Sequence, residues 1–279
     1  MRVDGAAGAR FDEAFDYVVV GSGAAGATAA RALASTGRSV CVLEEGPAID
    51  PKAFGDDSWG AFKTMFRGMN GQVARGRAFI PVIQGRVLGG STVINSAIAW
   101  RLPDDVFAEW AALGLADALP PKELHRYWDE IERDLDAAPT PEEAWGGFNR
   151  LMHDGAKKLG VRADPTRRYA SGCKATGQCL TGCPSGAKRS MLTTYLPQAE
   201  AKGAVLVTGA EARRVLIKDG RALGVEGRLC APGRPAFRAM ARRAVVVAAS
   251  AIQSPLLLAR SGVRSAHLGE HFMAHPGTP

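Results

Sequence analysis

The sequence predicts an α/β fold, a parallel sheet with helical crossovers, and three neighbouring observations in its first 44 residues carry that prediction. Phe15–Val20 is a short apolar run and reads as a buried strand. The next stretch, from Ala24 to Ser35, is rich in alanine, the strongest helix former, and Gly37 stands where that helix would stop. Ser39–Leu43 is a second apolar strand, closed by Glu44. Strand, helix and strand at this spacing form a β-α-β unit. The turn between the first strand and the helix holds Gly21, Ser22, Gly23, Ala24, Ala25 and Gly26, a G-x-G-x-x-G pattern. Each glycine there has its own task. Gly21 lets the chain leave the strand in a tight turn, Gly23 lets a diphosphate approach the backbone, and Gly26 lets helix and strand pack closely. The helix N-terminus, with Ser22 and Ala25 beside the glycines, then faces the phosphates. Glu44 follows Gly26 by 18 residues, where a carboxylate can accept hydrogen bonds from ribose hydroxyls. The unit is therefore Rossmann-like and binds a dinucleotide. The motif alone leaves FAD and NAD open.

Composition narrows the class. The chain is 46% hydrophobic and 23% charged, an ordinary globular balance. No apolar run reaches the length of a membrane span, and MRVDGAAGARFDEAFD lacks the apolar centre of a secretory signal, so a cytoplasmic location is expected. The net charge of +7 comes from scattered residues such as Arg67, Arg75, Arg77, Arg213, Arg214, Arg242 and Arg243. They form no basic helix or aromatic–basic motif, which argues against nucleic-acid binding. Five cysteines, an odd number without an export signal, argue against structural disulfides.

Further along, residues 1–12 are expected to be a loose arm, and residues 52–84, which lack periodicity, an excursion over the cofactor. Gly85–Arg101, GRVLGGSTVINSAIAWR, has paired glycines at 89 and 90 and hydroxyls at Ser91 and Thr92; by itself it also fits a glycine turn with Ser91 capping a buried helix. Glu211–Leu229 reads as two strands joined at Asp219-Gly220. RRAVVVAAS supplies another buried strand and Ile252–Arg260 a short helix.

Taken with the β-α-β unit, Gly85–Arg101 resembles the first signature of the glucose–methanol–choline (GMC) family of FAD oxidoreductases, G-R-x-x-G-G-[ST]-[ST]-x-x-N. Ala248–Val263, AASAIQSPLLLARSGV, is similar to its second signature, with Ser250 in place of the usual glycine. An NAD-linked Rossmann protein would explain neither stretch. The resemblance implies FAD as cofactor. It places Gly21, Gly23 and Gly26 at the diphosphate and Glu44 at the ribose. Arg86, Gly89, Gly90 and Ser91 would line the diphosphate and the approach to the flavin, with Asn95, Ser96 and Ala97 near the isoalloxazine and Ala212 near adenine. The implied chemistry is oxidation of a CH–OH group of an alcohol or sugar, a hydride passing to flavin N5 while a base takes the hydroxyl proton.

The resemblance also marks a departure. Enzymes of that family run to roughly twice this length, and their catalytic base is a histidine near the far C-terminus. None of the five histidines matches it: His125 and His153 read as surface residues, His267, His271 and His275 lie in a terminal loop, and His275-Pro276 matches a loop feature of the family. No catalytic residue is assigned. The chain is expected to be an N-terminal portion, inactive on alcohols alone, or else a non-catalytic flavin-binding or electron-transfer fragment of a split or truncated gene.

Cys173, Cys179 and Cys183, followed by Pro184, form C-x5-C-x3-C-P, whose ending repeats that of a ferredoxin ligand run. The alternatives are a glycine-rich loop of packed thiols and a zinc site short of one ligand. The stretch resembles the three-cysteine loop of membrane-linked FAD glucose and gluconate dehydrogenases, which implies a [3Fe–4S] cluster passing electrons to a cytochrome or quinone partner. Cys41 and Cys230 read as core thiols. The domain reading is an arm over 1–12 and a first FAD-binding part over 13–101. A helix-rich, partial substrate-side insertion with the cysteine loop spans 102–203, and the second FAD-binding part spans 204–279. The stretches DDVFAEWAALG and PKELHRYWDEIERDL both show helical spacing.

Overall fold

A computed structural model describes residues 1–8, 11–76, 78–115 and 120–273. The strands are β1 (Arg2–Asp4), β2 (Asp12–Val20), β3 (Val40–Leu43), β4 (Val73–Arg75), β5 (Phe79–Pro81), β6 (Ala138–Pro139), β7 (Arg167–Arg168), β8 (Val205–Thr208), β9 (Ala210–Lys218), β10 (Arg221–Leu229) and β11 (Ala236–Val247). The helices are α1 (Ala24–Ala34), α2 (Ser58–Met65), α3 (Asp104–Ala112), α4 (Pro121–Asp134), α5 (Gly147–Lys158), α6 (Tyr195–Ala201) and α7 (Ser250–Arg260).

Seven strands form the main sheet in the order β1-β8-β3-β2-β11-β10-β9. The pairings from β1 to β11 are parallel; β11-β10-β9 is an antiparallel meander. Its hairpin turns at Asp219 and Gly220, both at positive φ (51° and 73°), as a two-residue turn matched to strand twist requires. The valines of β2 show why the end of that strand is apolar. Val19 packs with Ala27 and Ala30 of α1 on one face of the sheet, while Val18 and Val20 pack with Val207, Val215 and Val225 on the other. A strand buried on both faces needs no polar alternation.

One stretch differs from the sequence reading. The supposed arm is part of the sheet: Arg2, Val3 and Asp4 pair with Leu206, Val207 and Thr208. At the end of the helix-rich stretch, α6 buries Tyr195, Leu196 and Ala199 with Val19 of β2 and Ala27 of α1. The insertion is tied down by charge as well. Arg31 of α1 bridges Glu130 (3.0 Å) and Asp134 (2.8 Å) of α4 and stacks 4.3 Å from the Tyr195 ring. Among the described residues no helix is long and apolar enough to cross a membrane.

Candidate functional site

The chain leaves β2, passes through α1 to β3 on one side, and places β11 on the other side of β2. In such a sheet the crevice at the carboxyl ends of the diverging strands is where ligands bind. A cleft of about 580 Å³ lies there, lined by the loops after β2, β3 and β11 and by Gln84–Gly85, Gly90–Thr92 and Asn95.

The three glycines of the first turn do different work in space. Gly21 has φ +96°, and its N–H donates to the Leu43 carbonyl at 2.8 Å, tying the turn to β3. A Cβ on Gly26 would stand 1.9 Å from the Gly21 carbonyl oxygen, so that position is closed to any side chain. A Cβ on Gly23 would meet only Gly90 Cα, at 4.0 Å. Gly23 is the N-cap of α1 and has no side chain to satisfy the helix's first N–H groups, which are left for a ligand. The paired glycines come to the same point: Gly90, at φ +57°, would put a Cβ 2.7 Å from Gly23 Cα. The two motifs, some 65 residues apart in the chain, are thus packed backbone against backbone.

Glu44 is buried and each of its oxygens is engaged. One accepts from the Ser22 hydroxyl (2.6 Å) and the Ser22 N–H (3.2 Å), the other from the Gly46 N–H (2.8 Å). Burial pushes its carboxyl above the usual range, against the pull of those same hydrogen bonds. The Ser22 hydroxyl also accepts from the Gly89 N–H at 2.9 Å. The β2 turn, the end of β3 and the paired-glycine loop are joined through this one buried serine.

Of the predicted site residues, Gly21, Ser22, Gly23, Ala25, Glu44, Gly90, Ser91, Asn95 and Ala212 line the one cleft. Gly26 and Gly89 lie behind it as packing positions. Arg86 is not among the residues lining the cleft: its Nε donates at 2.8 Å to the half-buried Glu45, a carboxylate that does line it. Arg67 joins the same carboxylate from its other side. Burial resists ionisation of Glu45, but the two guanidiniums outweigh it and hold the carboxyl below its usual range. Cys230, read as a core thiol, is only half-buried and lies 3.6 Å from Arg86 Nη2. Ser96 is exposed and Ala97 buried, both just beyond the cleft; the Ser96 carbonyl accepts from Arg168 instead. Ser91 caps no helix: Gly90–Thr92 is a single 3-10 turn, and the Ser91 hydroxyl accepts from the Gly85 N–H at 2.9 Å. The cleft also contains Glu45, Arg67, Gln84, Ser250 and Gln253, which the sequence reading did not select. Gln84 directly precedes the first signature and Ser250 is its visible departure in the second, so adjacency was the available signal.

The cysteine loop does not build a cluster site. Among the described residues no group of three His, Cys, Asp or Glu side chains is placed to hold a metal. Cys179 Sγ accepts from Arg168 Nη2 at 2.9 Å, whereas Cys183 Sγ accepts from the Lys188 N–H at 3.4 Å and contacts the Ser185 hydroxyl at 3.3 Å. The physical reason lies in Gly172, Gly177, Gly182 and Gly186. All four have positive φ, so the loop reverses repeatedly and sends its thiols to separate neighbours. What the loop does hold is Lys188. This lysine is 4% exposed, and its ammonium donates to the carbonyls of Val93 (2.6 Å), Asn95 (3.0 Å) and Cys179 (2.6 Å). Burial lowers its pKa to about 8. The loop is stapled in this way to the segment that carries Asn95 into the cleft. Lys188→Met should leave three carbonyls without a donor and cost about 2–4 kcal/mol. A urea midpoint unchanged from the parent would refute the staple.

No described histidine lines the cleft: His125 is exposed on α4 and His153 stands on α5, while His267 and His271 follow α7. His275 and Pro276 lie outside the described residues.

Comparison with known proteins follows the same lines. The family model described as GMC oxidoreductase matches residues 15–277. A GMC-type oxidoreductase of Mycobacterium tuberculosis is 42% identical over 268 residues, covering 94% of this chain and 42% of the relative. A long-chain-alcohol oxidase of Arabidopsis thaliana is 27% identical, covering 94% of this chain and 36% of the relative. The formate oxidase of Aspergillus oryzae superposes with a TM-score of 0.64 at 17% identity, over 91% of this chain and 48% of that one, a likeness of fold. The chain thus spans less than half the length of these relatives. With the family model matched across almost all of its residues, the chain belongs to the GMC oxidoreductase family.

Proposed function

We propose that this chain is the FAD-binding portion of an oxidoreductase acting on CH–OH groups of alcohols or sugars. One observation carries the reading. At the switch point of the sheet, Gly23 faces open space at the N-terminus of α1, and the paired-glycine loop is packed against it. That is a cradle for a diphosphate, which a single Cβ would begin to fill. Gly23, Ala24 and Ala25 would present N–H groups to the diphosphate. Glu44, Glu45 and Ala212 line the end of the cleft nearest β3 and β9, which suits the adenosine, and Ser91, Thr92 and Asn95 would lie toward the flavin. Bound there, FAD would supply the hydride acceptor for oxidation of a C–OH carbon. The alcohol class is supported by the Arabidopsis relative. The cytochrome or quinone acceptor expected above depended on an iron–sulfur relay in the cysteine loop, and it is not carried forward.

The chain's own part is to bind and orient. No described histidine lies on the cleft walls, and both carboxylates there, Glu44 and Glu45, are already engaged in hydrogen bonds, so this portion would lack a general base, a role that typically contributes about 10²–10⁴-fold. The expected result is therefore a stoichiometric yellow complex with FAD that reduces an artificial electron acceptor with long-chain alcohols or glucose at a negligible rate. Titration of the chain with FAD, followed by flavin fluorescence, tests the first part. Failure to bind would overturn the proposal, and turnover at an ordinary enzymatic rate, ~1–10³ s⁻¹, would show that a base is present after all.

A further inference from the structure

Ser250 is the one non-glycine residue of the cleft at a left-handed φ, +77°. An L-residue there carries strain that glycine would avoid. The side chain is fully engaged as an acceptor. The Gln84 side-chain amide donates to Ser250 Oγ at 2.5 Å. The N–H groups of Ile252 and Gln253, in the first turn of α7, approach the same oxygen at 3.3 and 3.2 Å. Gln84 is itself 7% exposed, and its orientation is set from the other side, where Gln253 Nε2 faces Gln84 Oε1 at 3.5 Å. A hydroxyl has two lone pairs and one hydrogen. Here one lone pair takes Gln84, the other is shared by two backbone N–H groups, and the hydrogen has no acceptor among the described residues.

We infer that Ser250 donates this hydrogen to an oxygen of the bound dinucleotide, which makes it a cofactor-positioning residue with a contact that the glycine usual at this place in the signature does not make. Ser250 lies on the cleft wall at the switch point, where the Ala248 carbonyl comes within 2.4 Å of where a Gly21 Cβ would stand. It is thus beside the α1 N-terminus and not remote from it. The three incoming donors leave the hydroxyl no lone pair to offer, so the ligand partner must be an acceptor such as a phosphate or ribose oxygen. The inference rests on the FAD reading above.

The test compares Ser250→Gly and Ser250→Ala in the full chain, with FAD affinity measured by fluorescence titration and stability by thermal melting of the apoprotein. Both variants lack the hydroxyl, and both should bind FAD about 3- to 10-fold more weakly. Their stabilities should diverge, because glycine relaxes the left-handed strain and alanine keeps it. A purely structural role would make affinity follow stability, so that Ser250→Gly would bind as tightly as the parent or more tightly; that outcome overturns the inference. If the parent itself fails to bind FAD, the cofactor reading falls and this one with it, a result distinguishable from the first because it appears before any substitution is made.

Discussion

Gly23→Asp is expected to abolish FAD binding while leaving the protein as stable as before, or more so. The two halves of that expectation come from different features of one position. The backbone at Gly23 has φ −68°, which any residue can adopt, and its Cβ direction is open. Aspartate is moreover among the best N-cap residues, worth about 1 kcal/mol where its oxygen reaches the free N–H groups of the first turn. Those are the groups the diphosphate needs. A carboxylate there occupies the cradle and sets a negative charge against two phosphates. The melting temperature should stay level or rise, and the purified variant should be colourless after incubation with FAD. A yellow protein with full flavin content would refute the placement of the diphosphate.

Gly26→Ala, three residues on, should behave in the opposite way and prevent stable folding. The added methyl would lie 1.9 Å from the Gly21 carbonyl oxygen and 2.9 Å from its carbon, both backbone atoms of the tight turn. Neither can rotate aside. The only relief is to move α1 away from β2, which breaks the contact that buries Ala27 and Ala30 against Val19. A loss of more than about 4 kcal/mol places this among the exceptional single substitutions. Gly155→Ala makes the control. This glycine lies in α5 with nothing within 4 Å of its Cβ direction, and the change should stabilise by up to about 1 kcal/mol. Equal melting curves for Gly26→Ala and Gly155→Ala would mean that α1 does not approach β2 as closely as described.

The local units of the fold were legible because their signals are local. A short apolar run, a glycine turn, an alanine-rich helix and a second apolar run need no distant partner to be read, and β2, α1 and β3 follow them to within a few residues at either end. Asp219-Gly220 likewise announces its own hairpin. Arg2–Asp4 carries no such signal. Three residues, two of them charged, become a strand only because β8, some 200 residues later, presents an open parallel edge. The same holds for Tyr195–Ala201, whose burial against α1 is set by the path of the chain and not by its own pattern.

The residue types at the cleft were determined by the sequence alone: the glycines at 21, 23, 26, 89 and 90, the acid at 44 and the hydroxyl at 91 are each needed for what they are, a missing side chain or a particular charge. Which way the neighbouring side chains turn was decided only in three dimensions. Arg86 is spent on Glu45, a part-buried carboxylate that two arginines hold between them and that needs a partner for its charge. The cysteines at 173, 179 and 183 keep a spacing that could ligate iron, but spacing counts residues and says nothing of φ, and in the folded loop, with its four left-handed glycines, Cys179 and Cys183 have different partners. Lys188 and Ser250 gain their places for the same reason. A lysine becomes a staple when three carbonyls from two segments meet around it, and a serine hydroxyl is left with a free hydrogen when three donors crowd its oxygen. Hydrogen bonds are satisfied between residues far apart in the chain, so their count closes only when the chain is folded.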